Sequence, residues 1–335
     1  MVYVPALDCV QLGTEDFAAW GTPVDPTVQL GLISDATIEP EIDVETLADL
    51  RGSLAPGYVA VLNAHRGGAS VSGTCTYEDL PYWFDSLLMQ ATPSGGNPYT
   101  RLYNGQLDPT ALTPNKTVRR LYTFIRGQAN KVQRLSGAIV NELSIKMEAN
   151  KPWTYTAKLI GKDVAGSALK SLGAALLTRG QTPIHSNSTQ LFVNNITTDH
   201  IGDTEITTLW FSAELSIKNV AGLVNGMGSL TPKIYTDAKA EATLKIKADV
   251  NADSAAWMTA ILATSVEQRK VRIVATSGAN VVTLDFAGSF SGSPKLDADQ
   301  DGVSALEFEL DAIYNIHDLG NWFNASVINA IDVLD

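Results

Sequence analysis

The chain has 335 residues, 45% of them hydrophobic and 18% charged, with a net charge of −12. That much apolar content excludes a disordered polymer, and folding should remove roughly three quarters of the extended surface, enough for two cores. No run approaches the ~18 apolar residues of a membrane helix, and Met1-Val2-Tyr3-Val4-Pro5 lacks the basic start of a signal peptide. Two cysteines, Cys9 and Cys75, make no disulfide framework and read as reduced thiols.

Thr, Val, Ser and Gly richness and many short alternating runs predict a mainly β chain. Thr37 to Glu45 alternates, with Ile38, Ile42 and Val44 on one side and Glu39, Glu41, Asp43 and Glu45 on the other. This is a half-buried strand whose Pro40 argues for an edge or a bulge. Val59 to Thr76 supplies the next hairpin. Glu78 to Met89 predicts a short amphipathic helix, opened at Tyr77-Glu78-Asp79, with Pro81 in its first turn. Thr92 to Lys116 reads as a long loop. Strands follow over Arg119 to Gly127, Leu135 to Met147 and Trp153 to Ile160, the last two joined by a turn at Asn150-Lys151-Pro152. Val164 to Leu177 has helical spacing, and Arg179-Gly180-Gln181-Thr182-Pro183 ends it.

The same order then returns. Leu209 to Val220 alternates, Phe211, Ala213, Leu215 and Ile217 inward and Ser212, Glu214, Ser216 and Lys218 outward. Ile234 to Ala248, a helix over Asp253 to Ala263, and strands over Val271 to Ala275, Val281 to Phe290 and Ala305 to Tyr314 complete it. Gly52-Ser53-Leu54-Ala55-Pro56 reappears 176 residues later as Gly228-Ser229-Leu230-Thr231-Pro232. Trp83 reappears as Trp257 after 174 residues, and Gly137 as Gly288 after 151. The fall in offset puts about 23 extra residues in the first copy, at the loop 92–116. The expected organisation is two tandem β-sandwich or barrel domains, 1–178 and 179–335, each with one flanking α-helix.

Charge is uneven. Residues 1–50 carry ten acids and no Lys or Arg, residues 116–170 eleven bases against three acids, and residues 285–335 ten acids against Lys295 alone. Such segregation suits a head-to-tail polymer, where opposite patches set orientation and register; ordinary scatter is the alternative.

Chemistry-bearing constellations are sparse. Asp297, Asp299, Asp301 and Gly302 open like a calcium loop, but Phe308 stands where the bidentate carboxylate belongs, which favours a solvated hairpin turn. His65, His185, His200 and His317 have no zinc spacing, and no nucleophile elbow or phosphate loop occurs, so neither catalysis nor a cofactor is expected. The row Glu39, Glu41, Asp43, Glu45 spaces its charges about 6.7 Å apart, so it must stay wet, against outside solvent or a water-filled channel.

Several stretches carry a resemblance: Leu12-Gly13-Thr14-Glu15 with Trp20-Gly21-Thr22-Pro23, the strand around Thr37 to Val44, and the helix around Trp83. Leu135 to Leu143 and Trp153 to Lys162 extend it. Together they resemble the tail tube protein (major tail protein) of long-tailed, siphovirus-like bacteriophages in its two-repeat form. The resemblance implies a structural virion protein without enzymatic activity, made in the host bacterial cytoplasm and resident in the viral tail. It implies homotrimer rings of pseudo-sixfold symmetry stacked into a hollow tube for genome ejection. Partners would be further copies of itself, tail terminator and tail tip proteins, and the tape measure protein during assembly. Double-stranded DNA would be transiting cargo, with no membrane insertion. On this view the loop 92–116 is an arm to the adjacent ring, and Glu39, Glu41, Asp43 and Glu45 are candidates for the channel wall. Other readings stay open: a tail terminator, a gene-transfer-agent tube, or a secreted tandem β-sandwich binder.

Overall fold

The computed structural model describes residues 8–47, 59–105, 119–128, 131–168, 177–180, 182–196, 200–219, 221–237, 239–262, 266–300, 302–315 and 318–334. Nearly every alternating stretch is a strand. The first half contains β1 (Cys9–Glu15), β2 (Val28–Gln29), β3 (Ile33–Leu47), β4 (Val59–Thr74), β5 (Tyr99–Asn104), β6 (Leu121–Gln128), β7 (Lys131–Glu148), β8 (Thr154–Gly161), β9 (Asp163–Gly166) and β10 (Leu177–Thr178). The second contains β11 (Thr189–Asn195), β12 (Trp210–Lys218), β13 (Ala221–Val224), β14 (Ile234–Asp237), β15 (Glu241–Asp249), β16 (Gln268–Ser277), β17 (Asn280–Gln300), β18 (Val303–Ala312) and β19 (Phe323–Asn329). Helix α1 (Leu80–Leu87) follows β4, and α2 (Ala252–Ile261) follows β15.

Eight strands form an unbroken antiparallel series, β3-β4-β8-β7-β12-β15-β18-β17. The first four and the second four follow one plan: a hairpin, a third strand beside it, and a long fourth strand. The two sets join where β12 pairs with β7, from Ser212 opposite Glu148 to Lys218 opposite Glu142. The far half of β7 runs on into a second layer with β6, β1 and β2, and that of β17 into one with β16, β11, β19 and β5. Among the described residues, 17 strands share one hydrogen-bonded sheet, and β13 and β14 form a separate ribbon.

Alternation decides which face is dry. Leu143, Ile145 and Met147 of β7, Leu215 and Ile217 of β12, Leu244 and Ile246 of β15, and Phe308 and Leu310 of β18 point into one cluster that spans both halves. The two cores expected from length are therefore joined, because the β7–β12 pairing makes their apolar faces continuous.

Four expectations need correction. Helix α1 is not amphipathic in use; every residue from Leu80 to Leu87 is buried. Its polar residues are satisfied inside: Arg120 Nε donates to Asp85 at 2.9 Å, and the Val140 amide donates to Ser86 Oγ at 2.9 Å. Second, the helical spacing from Val164 misleads. Asp163–Gly166 is a strand on β7, Val164 opposite Leu135; residues 169–176 lie outside the described residues. Third, the loop predicted over 92–116 contains β5, paired with β19 from the far end of the chain. Arg101 fastens it, buried and donating to Ile331 O at 2.7 Å, Asp332 O at 3.0 Å and Asn329 Oδ1 at 3.3 Å. Residues 106–118 lie outside the described residues. Fourth, Ile38 is buried as predicted, but Ile42 and Val44 are exposed, because β3 and β4 run beyond the body of the sheet.

Candidate assembly surfaces

The side of the eight-strand series opposite the core is mostly polar, with Ile139 and Ile160 packed under Tyr235 as an apolar exception. Cross-strand neighbours place Thr37 beside Ser70, Ser70 beside Lys158 and Lys158 beside Glu142. Further along, Glu214 sits opposite both Lys146 and Lys245, and Lys245 opposite Glu309. Four of the lysines on this face are paired. Lys158 meets Glu142 at 3.1 Å, Lys146 meets Glu148 at 2.5 Å, Lys295 meets Glu307 at 3.3 Å and Lys245 meets Glu309 at 3.7 Å. Such exposed pairs add little stability, but they set the potential of the wall: positive charge is neutralised and an acidic excess remains.

This face ends in two open edges. Among the described residues β3 pairs only with β4, and β17 beyond Ser291 pairs only with β18. Pro40 lies within β3 and offers no N–H, as an edge strand tolerates. Glu39, Glu41 and Asp43 continue the polar face, opposite Gly68, Arg66 and Ala64. Glu41 is bonded to Arg66 Nε, and Glu45 accepts from Asn63 Nδ2 at 3.3 Å. The predicted acid row is thus brought onto one side of one strand. Its outer part stands on the overhanging ribbon rather than over the core.

The seam between the halves contains the residues that sequence reasoning missed. Arg119, 1% exposed, pairs with Asp237 at 2.9 Å and also donates to Ser86 O at 2.7 Å and to Val140 O. Burial pulls the guanidinium pKa down, and the Asp237 carboxylate opposes that. Asn219 Nδ2 donates to Leu87 O at 2.7 Å, and the Ala221 amide to Asn141 Oδ1 at 2.8 Å. Tyr235 packs edge-on against Trp20 and Phe17, with ring centres 5.9 and 6.1 Å away. A cavity of about 690 Å³ opens beside these rings, lined by Phe17, Trp20, Lys233 and Tyr235 among others. The available signal was Arg119-Arg120 directly ahead of the apolar stretch Leu121 to Ile125, where a charge has to find a partner.

Behind the seam, Glu15 organises the turn that carries Trp20. Its carboxylate accepts from Thr123 Oγ1 at 2.7 Å, the Gly137 amide at 2.8 Å and the Gly21 amide at 2.9 Å. Burial raises its pKa, and these donors oppose the rise. Trp20 Nε1 donates back to Gly137 O at 3.1 Å.

The remaining candidates stay dispersed. Asp297 and Asp299 lie on β17, Asp299 opposite Ser304, where the hairpin turns; Asp301 lies outside the described residues. No group of three or more His, Cys, Asp or Glu that could hold a metal ion occurs among the described residues. The basic stretch 116–170 is partly neutralised within the chain, through Arg119 with Asp237, Arg120 with Asp85 and Arg126 with Asp8. Cys9 and Cys75 are free thiols. Among the described residues no helix is long and apolar enough to cross a membrane.

In comparison with known families, the chain matches a family described as phage tail tube protein, over residues 9–312. No curated protein matches the chain.

Proposed function

The chain belongs to the phage tail tube protein family, a structural component of the virion tail, and from that membership we propose that it closes into three-copy rings that stack as a hollow conduit for the genome. The observation that supports this most is the pair of open edges. Eight strands alternate in direction from β3 to β17, so β3 and the outer part of β17 run oppositely. A neighbouring copy in the same orientation offers its β3 antiparallel to that part of β17. An even number of strands keeps the alternation intact around any ring, and closure removes the bare edges that invite disordered aggregation.

Size favours three copies. At the usual strand spacing and tilt, 24 strands give a backbone radius of about 22–26 Å, and 16 strands give about 15–17 Å. Side chains fill about 5 Å of that on the inner face. Two copies then leave no water layer around a duplex about 20 Å across, whereas three do.

The inner wall is the polar face, with Glu39, Glu41, Asp43 and Glu45 on its β3 side. Paired lysines and excess acid repel a polyanion and deny it the counterion-releasing contacts that would hold it. DNA is cargo on this reading, and gel shifts at low salt should show no tight complex. Contacts with the tail terminator, tail tip and tape measure proteins belong to the same proposal. Negative-stain images of the purified chain should show hollow rings or tubes. A uniform monomer at every concentration and salt would contradict the proposal.

A further inference from the structure

We infer that the overhanging ribbon of β3 and β4 docks on the second half of a neighbouring copy, setting Ile42, Val44 and Leu62 against Leu262 and Val266. This rests on the ring reading and supplies the contact surface by which one chain grips the next.

The argument comes from comparing two hairpins of one chain. Ala36 stands opposite Val71, as Ala213 stands opposite Ile246; further out, Val44 stands opposite Leu62, as Ala221 stands opposite Asp237. Both correspondences have the same spacing, 177 residues on the first strand and 175 on the second. Both ladders also falter at one place. Asn63 is an extra residue between Ala64 and Leu62, and the second ladder breaks between Lys218 and Ala221. Ile42, Val44 and Leu62 are therefore the counterparts of Asn219, Ala221 and Asp237.

Those three counterparts tie the second half to the first. Asn219 binds Leu87 O, Ala221 binds Asn141, and Asp237 binds Arg119. The receiving surface has counterparts too. Leu87, which Asn219 binds, and Leu88 beside it correspond to Ile261 and Leu262 by the offset that relates Trp83 to Trp257, and Leu262 is the exposed one of that pair. Tyr122 pairs with Ala138 and Gln268 with Ser289, the counterpart of Ala138, so Val266 falls within one residue of the place of Arg119. Asn141 sits where the β7–β8 register shifts, and Gly292 where the β17–β18 register shifts.

The chemistry changes on both sides at once. Within the chain, an acid and an amide meet an arginine and an asparagine. Between copies, isoleucine and leucine would meet leucine and valine. All five apolar residues are bare in the single chain, with Leu262 and Val266 69% and 76% exposed. Matching apolar positions left open on two surfaces are what a seam separated from its partner presents. The occupant is a second copy, because the internal seam supplies both the receiving surface and the element that fills it.

The test is assembly of full-length variants, followed by sedimentation and negative stain. Leu62→Asp should raise the concentration needed for rings about 30-fold or more, as expected for a central apolar contact. The melting temperature of the single chain should stay unchanged, since Leu62 is exposed there. Adding Val266→Arg copies the Arg119–Asp237 pair into the seam and should restore assembly to within about threefold. Normal assembly of Leu62→Asp beside an assembling wild type would overturn this inference and leave the ring reading standing. Loss of assembly without rescue by Val266→Arg would overturn the pairing with Val266. A wild type that never assembles would remove both.

Discussion

Arg119, two residues ahead of β6, holds Asp237 of β14 at 2.9 Å, with both side chains nearly excluded from water. One belongs to the first half of the chain and the other to the second, so the pair reports whether the halves are docked. Asp237→Ala leaves a buried guanidinium without its counterion and should cost about 3–5 kcal/mol in denaturant unfolding. Arg119→Met with Asp237→Leu should cost less than the single change, because no charge is then stranded. A double mutant that loses as much as Asp237→Ala and Arg119→Met summed would show that the pair is not coupled.

Gly137 has φ +63°, and a Cβ there would stand 2.5 Å from Trp20 Nε1. Gly137→Ala combines left-handed strain with displacement of the indole, and should destabilise by about 2–4 kcal/mol. Trp20 fluorescence should shift with it, because the hydrogen bond to Gly137 O is lost. An unchanged melting curve would contradict this packing.

Asp79 titrates inside the protein. Burial, the largest cause, and then the neighbouring Glu78 charge raise it to about 7, while Thr76, Gly31 and Arg179 oppose the rise. Between about pH 4 and 7 the folded chain keeps a proton that the unfolded chain has released. Stability from this group is thus present at low pH and is lost as pH rises through 7. Asp79→Asn should gain on the wild type by about 2–4 kcal/mol between pH 4 and pH 8. Parallel stability–pH curves for the two proteins would contradict it.

The internal seam also fixes the register expected between copies. Ser216 faces Ser144, and the same offsets bring Glu39 of one copy opposite Lys295 of the next. Lys295→Glu should weaken assembly about threefold to tenfold at low salt, and Glu39→Lys in the same chain should restore it. Assembly that is indifferent to either change would place the register elsewhere.

Much of this was legible in the sequence, for physical reasons that differ from place to place. The alternation from Ser212 to Lys218 fixed both the strand and its dry side, since Ala213, Leu215 and Ile217 are buried, whereas Phe211, expected inward, is not, because the ladder shifts there and Trp210 packs on the core instead. The turn at Asn150 and the hairpin at Gly302 were visible because each needs a left-handed residue. Ile42 and Val44 misled because alternation says which residues share a side, not whether anything covers it. Val164 misled because its spacing fits a helix, whereas its neighbour across the ladder, Leu135, makes it a strand. The amphipathic reading of the first helix fails at Asp85 and Ser86, because only the fold supplies Arg120 and the Val140 amide that let them be buried. The β7–β12 junction, which positions every proposed surface, is a long-range pairing that local pattern does not encode.

The central claim is that β3 of one copy and the outer part of β17 of the next become hydrogen-bonded neighbours. Hydrogen exchange on dissociated and assembled protein tests it most directly. Within 35–39 and 295–299, the amides directed away from β4 and β18 should exchange readily in the single chain and become strongly protected in rings, while those of β12 stay protected in both. Assembled rings in which both edges still exchange at the single-chain rate would contradict the account.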